Sequence, residues 1–149
     1  MKLKKIIRKL NWFYTLEKNQ VDLYTGQSEN VEDIYTKKTL KRVSLIEQKH
    51  VENIADQLKS YGAQPTVIGD VLGPLMGKIA GKITGKTNIS TFLKFNIALE
   101  KKAMQDYKKF ISKINNASLS ELLWDHLIDE DLHAAWFSNK AAALEKSNH

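Results

Sequence analysis

IEQKHVEN at residues 46–53 and IDEDLHAA at residues 128–135 each contain Glu-x-x-His: Glu47 with His50, and Glu130 with His133. The chain has four histidines and nine glutamates in 149 residues. A given histidine therefore meets a glutamate at that spacing by chance about one time in sixteen, so two hits call for further support. Residues three apart share a helix face, about one turn apart, so each pair presents a carboxylate beside an imidazole. Thirty residues before each pair stands another glutamate, Glu17 before Glu47 and Glu100 before Glu130. The halves match further: Leu-Glu at 16–17 and 99–100, then a tyrosine seven residues on, Tyr24 and Tyr107. The offset is 83 residues throughout, so the chain reads as an internal duplication of a two-helix unit.

The chemistry of the set explains its residue types. Four glutamates and two histidines projecting into a bundle core form the ligand set of a carboxylate-bridged pair of iron ions, with manganese as the alternative metal. Four carboxylates carry −4 and two divalent irons +4, so the loaded cluster is neutral and tolerable inside a core; empty, the carboxylates would repel one another. In this reading Glu17 and Glu100 are terminal ligands, Glu47 and Glu130 bridge, and His50 and His133 each supply a nitrogen. Asp129, beside Glu130, is placed to accept a hydrogen bond from the far nitrogen of His50 and fix its tautomer. Tyr24 and Tyr107 read either as core residues or as groups next to the metals. His126, four residues before Glu130 and seven before His133, reads either as a partly exposed helix residue or as a group that approaches the site from one end. Trp12, Trp124 and Trp136 read as core or interface fillers.

Composition sets the outer limits. The length suits a single domain, residues 1–149, with 42% apolar and 27% charged residues. There is no cysteine, which removes disulfides, thiolate metal sites and cysteine nucleophiles. Arg8, Lys9, Glu17 and Lys18 interrupt the apolar run that an export signal would need. No stretch is long and apolar enough to span a membrane. The net charge is +6, much of it in the opening MKLKKIIRKL, which reads as a solvated helix end or as an anchor on an anionic membrane surface. No recognisable module interleaves basic and aromatic residues, so nucleic acid is not an expected partner.

Apolar spacing predicts four helices and no strand, an all-α fold. The first covers about 6–26, on Leu10, Phe13, Leu16, Gln20 and Tyr24. The second starts near Asn30 and stops at Gly62, with Leu40, Val43, Ile46, His50, Ile54 and Leu58 on one stripe. The third covers about 89–115, on Phe92, Phe95, Leu99, Ala103, Tyr107 and Phe110. The fourth opens at Ser118 or Ser120, with Ser118 and Glu121 as a capping box, and runs to about Lys146. Between helices 2 and 3 lies a Gly-rich crossover, residues 62–88, in which Gly69, Gly73, Gly77, Gly81 and Gly85 recur every four residues, as do Lys78, Lys82 and Lys86. It reads as a flexible crossover, or as a surface that docks on a membrane or a partner helix.

With these motifs in view the chain resembles the ferritin-like di-iron superfamily, and within it the demethoxyubiquinone hydroxylases. The matching residues are E-x6-YTGQ (Glu17, Tyr24, Gly26, Gln27), EQKH in the second helix, YGAQPT (Gly62, Pro65), the Gly-rich connector, ALE with Tyr107, and DEDLH. The chain departs from that pattern in Leu16, Lys18 and Asn19 around the first glutamate, in Asp106 where the family has a histidine, in Ala134 after His133, and in the connector lysines. The resemblance implies a ferritin-like four-helix bundle and a monooxygenase peripheral to the inner face of the cell membrane. Such an enzyme hydroxylates a quinone-like or other lipid-soluble aromatic with two irons, dioxygen and electrons traceable to NADH. The residues leave two other classes open. One is iron oxidation and storage or peroxide reduction, as in bacterioferritin and rubrerythrin relatives, with assembly into a homo-oligomer; the other is a non-catalytic module stabilised by metal.

Overall fold

The computed structural model describes residues 1–73 and 89–148. Four helices and no strand occur among them: α1 (Leu3–Glu29), α2 (Ile34–Ser60), α3 (Ile89–Ile111) and α4 (Ala117–Ser147). The chain is all-α, as its periodicity predicts. It divides into two compact units, Met1–Gly73 and Pro74–His149, with α1 packed on α2 in the first and α3 packed on α4 in the second.

In the first unit the inward stripe of α1 is Leu10, Phe13, Leu16, Glu17, Gln20 and Tyr24, and that of α2 is Leu40, Val43, Glu47, His50, Ile54 and Leu58. Leu10, Phe13, Leu40, Ile54 and Leu58 are fully buried, and each such side chain contributes about 1.5–3 kcal/mol relative to exposure. The α2 start lies at Ile34, four residues later than Asn30, because Asp33 supplies the cap: its carboxylate accepts from the Thr36 N–H at 2.9 Å. The α2 end is where Gly62 predicts it. Gly62 has φ +74°, its N–H donates to Lys59 O at 2.9 Å, and Ala63 N–H donates to Leu58 O at 2.9 Å. This double bond pattern is a Schellman motif, which needs a left-handed residue after the helix. The chain then returns along α1: Thr66 N–H donates to Asn11 Oδ1 at 2.8 Å and Ile68 N–H to Thr15 Oγ1 at 2.9 Å.

In the second unit α3 buries Leu93, Phe95, Asn96, Leu99, Glu100, Ala103, Tyr107 and Phe110, and α4 buries Leu119, Leu123, His126, Leu127, Glu130, His133 and Phe137. Phe92, placed on the stripe by sequence, is half-buried, and its neighbour Leu93 takes the buried position. α3 ends at Ile111, four residues before Asn115. The expected capping box at Ser118 is replaced by Asn116, whose side chain accepts from the Leu119 N–H at 2.9 Å. Asp33 and Asn116 are themselves 83 residues apart, so the duplication extends to the helix caps. The glycine–lysine pattern from Pro74 to Lys86 lies outside the described residues. No described helix is long and apolar enough to cross a membrane.

Candidate metal centre

α1 and α2 bring Glu17, Glu47 and His50 together in the first unit, each offering a ligand atom within 4.8 Å of the other two. His50 Nδ1 stands 3.1 Å from Glu47 Oε2 and 3.4 Å from Glu17 Oε2. Donors about 2.1 Å from one cation lie roughly 3 Å from each other, so this triad has the spacing of a coordination shell. Both glutamates are fully buried and His50 is nearly so. Glu17 owes its place to the period of α1, which sets it one residue past Leu16 on the inward face; Glu47 and His50 continue the stripe of Leu40 and Val43.

The second unit repeats the arrangement. Glu100, Glu130 and His133 each offer a ligand atom within 4.8 Å of the other two, and His133 Nδ1 stands 3.7 Å from Glu100 Oε2. Glu100 and Glu130 are fully buried, and His133 is buried. Carboxylates are rarely taken out of water without a compensating charge or ligand, and each unit encloses two of them beside an imidazole.

The remaining sequence-predicted residues fall as follows. Tyr24 and Tyr107 are fully buried. Asp129 is half-buried, one residue round the helix from Glu130. Trp12 and Trp136 are half-buried and Trp124 is exposed, so none of the tryptophans fills the core. Lys9 instead lies over the Trp12 ring, 4.3 Å from its centroid.

Of the two sequence readings of His126, partial exposure is overturned. It is 1% exposed, its Nδ1 lies 3.2 Å from the Tyr107 hydroxyl, and the two rings meet edge to face. The spacing His126, Glu130, His133, Phe137 steps by four, three and four residues, the mark of a single helix face. That spacing places His126 on the ligand face of α4. Asp106, next to Tyr107, is buried in an ion pair with Lys102 one turn earlier.

An oxygen–nitrogen donor set of this kind suits iron or manganese and excludes metals that require thiolate. No family model matches the chain, and no curated protein matches it either. Solved structures do. A bacterioferritin from Desulfovibrio desulfuricans, described with a diiron site in different catalytic states, superposes with a TM-score of 0.80 at 19% identity, over 97% of this chain and 82% of that one. A ferritin-like, diiron-carboxylate protein from Bacillus anthracis superposes with a TM-score of 0.75 at 21% identity, over 95% of this chain and 99% of that one. The likeness shows the fold, a ferritin-like four-helix bundle.

Proposed function

We propose that the two triads supply the ligands of two iron ions, with manganese as the alternative, and that the chain is a dioxygen-dependent di-iron oxidoreductase that hydroxylates a quinone-like or other lipid-soluble aromatic. The observation that carries the metal assignment is the duplicated triad: two units, each with Glu and Glu-x-x-His buried at coordination spacing. Glu17, Glu47 and His50 would supply the ligands of one half and Glu100, Glu130 and His133 those of the other. When bound, the irons supply the electrons that reduce dioxygen. The protein contributes the surroundings. Leu16, Leu99 and Leu127 are buried on the ligand-bearing helices, and a buried carboxylate calls for a compensating cation or hydrogen bond. Tyr107 and His126 hold a proton between phenol oxygen and imidazole within the second unit.

The hydroxylase assignment is supported by YTGQ at residues 24–27 and YGAQPT at residues 61–66. Lys78, Lys82 and Lys86 support an anionic membrane surface, the cytoplasmic face of the cell membrane, as the place where such a substrate is met. A second reading, oxidation of ferrous iron for storage, is supported by the likeness to bacterioferritin.

Metal analysis and product analysis test these readings. The purified chain is expected to bind about two irons, and Glu47→Ala or His133→Ala to lower that number sharply; unchanged stoichiometry in both refutes the ligand assignment. Oxygenation of the ferrous protein in the presence of quinone-like aromatics is expected to give a hydroxylated product. Oxidation of many irons per chain with no hydroxylated product selects storage instead.

A further inference from the structure

The outer face of α4 carries Trp124, Ile128 and Leu132, which are 47%, 54% and 62% exposed. They step by four residues, so they form one ridge along the helix. Ala117 and Ala135 share that face and are also exposed. Single exposed apolar residues are ordinary on a protein surface, but an aligned row of three large ones marks an interaction surface. The ridge has an acidic rim, with Glu121, Asp125 and Asp131 exposed on either side. From residue 117 to 135 there is no lysine or arginine at all.

The opposite character occurs at the start of α1. Lys2, Lys4, Lys5, Arg8 and Lys9 alternate there with Met1, Leu3, Ile6 and Ile7, and no acid occurs before Glu17. Met1 and Leu3 are 44% and 50% exposed. The helix begins at Leu3 with no side-chain cap and no acidic residue in its first turn. Its cations therefore crowd the positive end of the helix dipole, an arrangement that an anionic surface relieves. α2 has cations too, at Lys37, Lys38, Lys41 and Arg42, but Asp33 already caps its first turn.

We propose that the acid-rimmed ridge of α4 docks a second copy of this chain through the basic, apolar first turns of that copy's α1. The apolar rows of the two surfaces bury each other, and the rim acids meet the cations, which sets orientation and salt dependence. The two surfaces differ, so the contact joins unlike faces of successive copies, or closes a pair in which it is made twice.

Sedimentation velocity over a concentration series tests the proposal, with circular dichroism as a check that each variant folds. The wild-type chain is expected to self-associate, less so as salt is raised. Asp125→Lys with Asp131→Lys, both at exposed positions, is expected to weaken association at least about tenfold. Lys4→Glu with Lys5→Glu in the same chain is expected to restore it, whereas Lys38→Glu with Lys41→Glu is expected not to. Leu132→Ser, which leaves the charges alone, is expected to weaken association as well. The proposal is overturned by a chain that stays monomeric at high concentration, by association indifferent to the α4 reversal, or by rescue from α2 rather than α1.

Discussion

Val43 and His126 occupy equivalent positions of the duplicated unit, 83 residues apart, yet one buries an alkyl group and the other an imidazole. The difference gives Tyr107 a hydrogen-bond partner where the equivalent helix position in the first unit has an aliphatic side chain. Tyr107→Phe and His126→Val should each cost about 1 kcal/mol of stability, and the double substitution less than the sum, because either one already removes the shared bond. Urea denaturation of the three variants measures this; strict additivity would show that the contact contributes nothing. Gly62 is a second such residue. Its φ of +74° lies in the left-handed region and an added Cβ would meet nothing within 4 Å, so Gly62→Ala should destabilise by about 1 kcal/mol through backbone conformation alone. A cost near zero would mean that the turn relaxes freely. The six candidate ligands stand out in the sequence because a repeat at fixed offset multiplies a weak local signal. His126 breaks the repeat, with Val43 at the equivalent position, so only its helical spacing to Glu130 and His133 marks it as buried.

Helix identities follow from period alone, but helix ends follow from single capping atoms, and there the sequence is ambiguous. Ser118 with Glu121 has the form of a capping box, yet Asn116 two residues earlier takes the role by accepting from Leu119 N–H. Both sites present a short polar side chain ahead of an apolar run, and local spacing cannot choose between them. The duplication can: Asp33 in the first unit corresponds to Asn116, and Ile34 and Ala117 open their helices at the matching position. Asn116→Ala is therefore expected to lower stability by about 1 kcal/mol, and Ser118→Ala to change it by well under half of that. Thermal melts of the two variants decide it, and the reverse order would return the cap to Ser118. A similar argument explains the tryptophans. Large aromatics are expected to fill a core, but Trp124 falls on the outward arc of α4, where the period of Leu123, Leu127 and Glu130 leaves no room for it inside.

Taken whole, the molecule encloses four glutamates with no exposed surface. Burying a carboxylate is costly, and replacing one by an uncharged side chain of the same shape removes part of that cost. The apoprotein should accordingly be less stable than its composition of buried leucine and phenylalanine would allow. On the proposed metal assignment iron binds the folded chain and not the unfolded one, so loading at a hundredfold excess over the dissociation constant should add about 2.7 kcal/mol per iron. For a chain of this size that raises the melting temperature by about 5–10 °C per iron, reversibly on chelation. Glu47→Gln keeps the shape and removes the charge. Its apoprotein should melt at or above the wild-type apoprotein, while the rise produced by ferrous iron should largely disappear. Differential scanning calorimetry with and without iron reads both quantities at once. If Glu47→Gln destabilises the apoprotein by several kcal/mol, the carboxylate is part of a structural network and not a reserve of charge for metal. If the iron-induced rise survives the substitution, Glu47 is not a ligand.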